Sequence, residues 1–327
     1  MIELTTVDAH AGGAPVRLVT GGAPVPRGRG MREKTAWMQR HADHIRRLLL
    51  QEPRGHRDMT GALLTEPVQP GSHAGLIFMH GDGYASMAGH VVMATTMLAL
   101  TRGLVLPGGD GETVVYDTIA GTVRARALGA SEVAVTSVPS FVLAGGVTVK
   151  ADGRTVRVDV GWGGAFYAIV DAESLGVSVS RDYLPVLRQL SREIADGVES
   201  AMVVSHPGDA TLDGLAGTLF TSPPHDERAQ LRSVAVLADG SAGRAGSVTG
   251  MSAVMAVLDA MGLLADAEAG EPFVLEGLSG ALLRGRVAQR TMVGEVAAIV
   301  PEVTGSAWVT GEHRFLADPA DPFSPRK

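Results

Sequence analysis

Two stretches of this chain are apolar on nearly every helical face, and each opens on a short motif of small residues. Met87-Ala88-Gly89-His90 precedes the apolar residues 91–103, and Gly246-Ser247-Val248-Thr249-Gly250 precedes residues 251–262. A helix without a polar stripe is buried on all sides, so each segment requires other structure wrapped around it. Gly103 and Gly262 close the two segments and suit left-handed C-caps. Ser247 follows Ala88 by 159 residues, and the common pattern reads as a long internal pseudo-repeat. Free N–H groups and the macrodipole at a helix start favour an anion. Two such starts directed at one point would clamp a small carboxylate.

The remainder of the chain reads as sheet built around a few helices. Strand-like runs at 2–8, 16–20, 75–79, 114–118, 123–128, 133–137, 155–160 and 165–171 alternate with glycine, proline and aspartate, the signature of short strands and tight turns. Amphipathic patterning predicts helices over 31–50, stopped by Glu52-Pro53, and over 181–199. The expected class is α/β (α+β): two pseudo-symmetric domains, each a curled, mostly antiparallel sheet around one central apolar helix. The first domain is expected at 1–125 with 309–327, around a helix at 89–102, and the second at 126–308, around a helix at 248–261. A ligand cleft between two such domains is the natural expectation.

Composition removes several function classes. A net charge of −7 disfavours nucleic acid and anionic membrane as partners, which demand clustered Lys and Arg. Cysteine is absent, which excludes disulfides, thiolate nucleophiles and sulfur-ligated metals. Lysine occurs only at 34, 150 and 327, and neither Lys34 nor Lys150 lies in a Gly/Ser-rich phosphate-binding context, so pyridoxal chemistry is not expected. Met1-Ile2-Glu3-Leu4 lacks the basic and apolar regions of a signal segment, and no uncharged apolar run is long enough to span a bilayer. A cytoplasmic protein is the expectation.

Competing motifs are weak. His41-x-x-His44 has zinc-ligand spacing without an acidic third ligand nearby, Asp110-Gly111-Glu112 is too short for a calcium loop, and neither central helix opens on Gly-x-Gly-x-x-Gly. No metal and no cofactor are expected. The Gly-Gly-Ala-Pro at 12–15, repeated at 21–24, reads as turn chemistry.

Five blocks carry a resemblance to the proline racemase family and, more distantly, to diaminopimelate epimerase-like proteins. Asp8-Ala9-His10-Ala11-Gly12-Gly13-Ala14-Pro15 resembles the family's Asp-x-His-Thr-Gly-Gly-Glu-Pro, and Glu52-Pro53-Arg54-Gly55-His56-Arg57-Asp58-Met59 closely matches Glu-Pro-Arg-Gly-His-x-Asp-Met. Phe78-Met79-His80 through Met87-Ala88-Gly89-His90 is similar to the block ending Met-Cys-Gly-His. Gly163-Gly164-Ala165-Phe166-Tyr167 resembles Gly-Gly-Asn-Phe-Tyr, and Gly243-Arg244-Ala245-Gly246-Ser247-Val248-Thr249-Gly250 resembles Asp-Arg-Ser-Pro-Cys-Gly-Thr-Gly. The Asp/Pro-rich tail from Asp318 resembles the family's Asp-Pro-Phe ending and is expected to finish a docking strand.

This resemblance implies a cofactor-free, homodimeric enzyme acting at Cα of proline, hydroxyproline or a related cyclic amino acid. In racemases and epimerases of the family one thiolate removes the Cα proton while an opposing thiol delivers another. Variants with threonine at the second position go with dehydration of trans-3-hydroxyproline, where one base suffices. Here Ala88 stands at the first catalytic position and Ser247 at the second. Alanine moves no proton, and a serine hydroxyl is a far weaker acid than a thiol of pKa about 8.5. Gly243 replaces the aspartate expected to meet the substrate ammonium, and losing that charged hydrogen bond costs on the order of 1.5–3 kcal/mol.

Ser247 and His90 are the candidate catalytic residues. Gly89, His90, Val248, Thr249, Asp58 and His80 are candidate substrate contacts, with Ala88 a degenerate catalytic position. Each has a plainer role: Ser247 as a helix N-cap, His90 as a backbone hydrogen-bonder, Asp58 as a brace for the turn after Arg54-Gly55. Three functions are carried forward. They are one-base dehydration of a 3-hydroxyproline-type substrate, racemisation or epimerisation through another base such as His90 or His80, and silent binding of a small carboxylate.

Overall fold

The computed structural model describes residues 2–109, 111–264 and 271–325. Asp110 of the short acidic turn, Met1 and Lys327 lie outside the described residues. The chain forms two compact units, one of residues 1–135 and 306–327 and one of residues 136–305. The crossings thus fall within β-structure, at 135/136 in the strand Glu132–Thr136 and at 305/306 in the strand Val296–Ala317.

The first unit contains β1 (Ile2–Ala11), β2 (Ala14–Gly21), α1 (Met31–His41), α2 (Asp43–Leu50), β3 (Thr60–Thr65), β4 (Ala74–His80), β5 (Gly83–Ala85), α3 (Gly89–Thr101), β6 (Thr113–Thr118), β7 (Gly121–Ala127) and β8 (Glu132–Thr136). The second contains β9 (Ser140–Ala151), β10 (Arg154–Trp162), β11 (Phe166–Asp171), α4 (Leu184–Ala201), β12 (Ser205–His206), β13 (Asp209–Asp213), β14 (Leu215–Ser222), β15 (Leu231–Leu237), α5 (Val248–Ala260), β16 (Phe273–Gly277) and β17 (Leu282–Val293). The last strand, β18 (Val296–Ala317), contributes its first residues to the second unit and its later ones to the first.

In the first unit the strand order is β1-β2-β3-β4-β6-β7-β8, and β18 pairs with both β8 and β1, closing the sheet on itself. In the second it is β17-β16-β15-β14-β11-β10-β9, closed in the same way by β18 against β17 and β9. Most pairs are antiparallel; β2–β3, β4–β6, β11–β14 and β15–β16 are parallel. This is the mixed, strand-dominated α+β class that the sequence predicts.

Each sheet wraps one apolar helix. Along α3 every residue from Val91 to Ala99 is buried, and along α5 every residue from Val248 to Ala256. Both helices end as their glycines require: Gly103 and Gly262 adopt φ of 62° and 70°, so the chain turns away without a Cβ penalty. The outer helices are amphipathic. Met38, Ile45, Leu48 and Leu49 of α1 and α2 pack on Leu63, Ile77 and Met79 of the first sheet.

Two expectations require correction. The predicted helix over 31–50 is two helices, because Ala42 leaves the helical region at φ −141° and ψ 18°. His41 and His44 therefore belong to different helices, and the i,i+3 relation needed for a shared metal is lost. Among the described residues no group of three His, Asp or Glu side chains is placed to hold a metal ion. The tail beyond Ala317 is not strand but a run of turns, in which Asp321 accepts a hydrogen bond from Arg54 at 2.7 Å. No described helix is long and apolar enough to cross a membrane.

Candidate active site

The amino end of α3 begins at Ala88, whose backbone is extended (φ −146°, ψ 97°) and whose side chain caps nothing. Its carbonyl accepts the Val92 N–H at 3.0 Å. The N–H groups of Gly89 and His90 precede the first intrahelical bond and are left for other acceptors. His90 stands in this first turn, half-buried, with Nε2 at 3.3 Å from Thr60 Oγ1. Burial pushes its imidazole down to about 4, so the ring is neutral at physiological pH.

Thr60 is the hub of this end. It opens β3, lies beside Val16 of β2 and His80 of β4 in the sheet, and its hydroxyl donates to the Pro15 carbonyl at 2.6 Å. The first and third family blocks thereby meet on one side chain, which directly follows the second. His80 ends β4, and its carbonyl accepts from Arg46 at 3.0 Å. Asp58 sits half-buried in the turn before β3, where Met59 N–H bonds the His56 carbonyl at 3.0 Å.

That turn is held from beneath by a buried pair. Arg17 donates from Nη2 to Asp8 at 2.7 Å and from Nη1 to the Leu49 and Arg54 carbonyls at 2.6 and 2.8 Å. Asp8, the acidic residue of the first block, is thus committed to structure. A buried ion pair is tolerable when its remaining hydrogen-bonding capacity is used, and here the surplus donors grip the segment leading into Asp58 and Thr60.

At the amino end of α5, Ser247 is a true N-cap. Its Oγ accepts the Gly250 N–H at 3.0 Å, and its carbonyl accepts the Met251 N–H at 2.7 Å. Ser247 Oγ also lies 3.0 Å from Thr249 Oγ1, which lies 2.9 Å from the Tyr167 hydroxyl. Burial raises the Tyr167 phenol pKa, and its bonds to Thr249 and Ser247 offset this only in part. Among the described residues no carboxylate or imidazole belongs to this network of hydroxyls, so no base within it removes a proton from Ser247.

Glycines set the approach to this tip. A Cβ at Gly163 would stand 2.0 Å from the Thr249 carbonyl, and one at Gly277 would stand 2.2 Å from the Gly246 N. The Gly-Gly motif is therefore required for the β10–β11 turn to touch the first turn of α5, which brings Tyr167 to Thr249. The loop after β16 is fixed by a second buried arginine pair. Arg232 bonds Glu276 and the Leu278 carbonyl, and Ser279 N–H reaches the Arg244 carbonyl at 2.7 Å. A Cβ at Gly243 meets nothing closer than 3.5 Å.

The α3 end therefore gathers Ala88, Gly89, His90 and, through Thr60, the strand bearing His80. The α5 end gathers Ser247, Val248 and Thr249. Asp58 lies in the loop next to Thr60. Sequence reading did not single out Thr60 or Tyr167. Tyr167 lies inside a quoted motif, but Thr60 follows a block directly and carries no motif of its own.

The family model described as proline racemase matches residues 6–325. A trans-3-hydroxy-L-proline dehydratase from Bacillus cereus is 38% identical over 321 residues, covering 97% of this chain and 95% of that protein. A proline racemase from Acetoanaerobium sticklandii is 34% identical, covering 97% and 96%. The crystal structure of a probable proline racemase from Agrobacterium radiobacter K84, with bound carbonate, superposes with a TM-score of 0.89 at 27% identity, covering 98% of this chain and 95% of that one. A hydroxyproline epimerase from Agrobacterium vitis has the same fold, with a TM-score of 0.89 at 24% identity over 99% of this chain and 94% of that one. With matches along its whole length and both helix ends built from the matching motifs, the chain belongs to the proline racemase family.

Proposed function

We propose that this protein acts at Cα of a pyrrolidine-2-carboxylate and that its reaction is dehydration of a trans-3-hydroxyproline-type substrate rather than racemisation. The observation that carries this reading is Ala88 at the N-cap of α3, where the family places a proton-transferring group. A symmetric exchange needs two such groups, and one is missing. Elimination needs the Cα proton removed once, after which the 3-hydroxyl leaves and no proton returns to Cα. Relatives named as dehydratase and as racemase are both found, the former at 38% and the latter at 34% identity.

In this reading the N–H groups of Gly89 and His90 at the start of α3, and those of Val248 and Thr249 at the start of α5, are each suited to a substrate carboxylate, since helix ends stabilise charge that builds during Cα deprotonation. His90 and Ser247 handle the protons, and Asp58 and His80 complete the substrate surroundings. Incubation with trans-3-hydroxy-L-proline is expected to release a pyrroline-2-carboxylate, followed by NMR. Incubation of L-proline or 4-hydroxyproline in deuterium oxide is expected to leave Cα protiated. Deuterium at Cα without elimination would turn the assignment to a racemase or epimerase using another base.

A binding-only role has one observation in its favour: Ser247 is occupied as a cap, with no base in its network. Ligand at 100 times its dissociation constant stabilises a protein by about 2.7 kcal/mol. A thermal shift of that kind with no turnover of any proline derivative would select it. A Cβ at Gly243 would meet its neighbours only at ordinary contact distance, 3.5 Å and beyond, which offers a further handle: Gly243→Asp is expected to tighten amino-acid binding roughly tenfold, the worth of one charged hydrogen bond.

A further inference from the structure

Arg54 is held at three points, each from a different part of the first unit. Its N–H donates to the Gln51 carbonyl at 3.1 Å, its own carbonyl accepts from Arg17 Nη1 at 2.8 Å, and its guanidinium donates from Nη2 to Asp321 at 2.7 Å. The Gly55 N–H reaches the same Gln51 carbonyl at 2.8 Å, which closes 51–55 into a tight turn. Four residues beyond Arg54 stands Asp58. No residue from Gln51 to Asp58 is buried, and a loop without apolar anchors opens readily unless polar contacts tie it down. Thr60, two residues further on, is fixed independently by its sheet neighbours Val16 and His80.

The late part of the chain supplies the outer face of this grip. His313 Nε2 lies 3.3 Å from Asp8 Oδ2, the Arg17 guanidinium lies 4.4 Å from the centre of the Phe315 ring, and β18 then gives way at Ala317 to the turns that carry Asp321. The two oxygens of Asp321 divide the work. Oδ1 accepts the Phe323 N–H at 2.9 Å and makes the turn, whereas Oδ2 accepts from Arg54 and, at 3.2 Å, from the Ser324 hydroxyl. The Phe323 N–H and then Arg54 hold this carboxyl below the usual carboxylate range, so it is charged at neutral pH. The arginine and aspartate side chains are 17% and 29% exposed, which shields their attraction from salt and water better than an open surface pair.

We infer that Asp321 is a positioning residue for substrate binding: through Arg54 it holds the 51–58 loop in the conformation that presents Asp58. This assignment rests on the reading that places Asp58 in the substrate surroundings and deepens it. The turns after β18 thereby join the first helix tip as part of its construction. Releasing the clamp frees the loop but leaves Thr60 in the sheet and His90 in α3, so it displaces a substrate contact and spares the imidazole. The cost falls on KM rather than kcat, the mark of a contact made equally in ground state and transition state.

Asp321→Asn isolates the clamp, because the amide keeps an oxygen for the turn and sets an NH2 donor against the guanidinium. In the full chain, hydrogen–deuterium exchange over 51–58 is expected to run about 5-fold faster than in wild type, with peptides from 136–305 unchanged. KM for trans-3-hydroxy-L-proline is expected to rise by about the same factor, while kcat stays within about 2-fold. Arg54→Gln should reproduce both changes, and combining the two substitutions should add nothing further, as one shared interaction requires. Unchanged exchange in both single variants, additive effects in the double variant, or faster exchange with unaltered KM would overturn the assignment. Asp58→Ala separates the two ways of failing: a KM unmoved there overturns the reading of Asp58 itself. A wild-type protein that turns over no trans-3-hydroxy-L-proline would overturn the dehydration reading, while the exchange rates would still decide whether Asp321 holds the loop.

Discussion

The first turn of α3 starts at a residue that caps nothing, whereas the first turn of α5 starts at Ser247, which holds the Gly250 N–H at 3.0 Å. Around them the construction is parallel. Each helix is apolar and enclosed by a closed sheet, each ends on a left-handed glycine, and each tip adjoins a loop gripped by a buried arginine. The difference lies in what ends each network: at one tip an imidazole nitrogen, at the other a serine hydroxyl backed by Thr249 and Tyr167. Duplicated scaffolds keep their packing under close constraint, because a Cβ at Gly163 or Gly277 collides with backbone. Side chains at the tips carry no such restriction and can diverge in chemistry.

The largest effect expected on this contrast comes from His90. His90→Gln should lower elimination from trans-3-hydroxy-L-proline by about 10²–10⁴-fold, the worth of a general base. Activity of the variant near that of wild type would remove the imidazole from the reaction. Next come the arginines beneath the tips. Arg17→Ala and Arg232→Ala each remove the arginine from a buried carboxylate, leaving Asp8 with Thr6 and His313 and Glu276 with the His225 and Asp226 N–H groups, so each should destabilise its unit by up to roughly 3–5 kcal/mol in denaturant unfolding. A loss below about 1 kcal/mol in either would mean that the pair is dispensable.

Acid should then separate the tips. The folded pKa of His90 is about 4 against an ordinary 6.5, so between these values the unfolded chain binds a proton that the folded chain refuses. Stability from this source is intact above about pH 6.5 and is lost as pH falls through 4, at most about 3 kcal/mol at 1.36 kcal/mol per pKa unit. Activity should show an acid limb near 4 for the same reason. In His90→Gln this part of the stability loss should vanish; an unchanged acid dependence would assign it elsewhere. The smallest effect is in the caps. Ala88→Ser should stabilise by about 1 kcal/mol and Ser247→Ala destabilise by about as much, measured as opposite shifts in unfolding midpoint.

Much of this architecture is legible in the sequence because burial leaves a strong trace. The absence of a polar stripe at 91–103 and 251–262 demands an enclosing layer, and Gly103 and Gly262 mark where the helices stop. The break at Ala42 leaves no such trace: the residue is a strong helix former, and its departure from helical angles depends on how α1 and α2 pack against the sheet. The crossings at 135/136 and 305/306 are likewise silent, since a strand that changes sheets needs no turn residue. At the tips, sequence identifies Ala88, His90 and Ser247 by position but not the partners that orient them. Thr60 and Tyr167 reach His90 and Thr249 across 30 and 82 residues, distances over which no local periodicity carries information.

The role of β18 bears on how such a chain matures. Ile2 pairs with Ala317 and Ser140 with Ile299, so during synthesis both sheets stay open until the final strand has left the ribosome. Neither enclosure is complete beforehand, and the apolar faces of α3 and α5 await it. Closing contacts of such sequence separation are slow to form, and nascent chains lacking the last strand should be the species that holding chaperones retain.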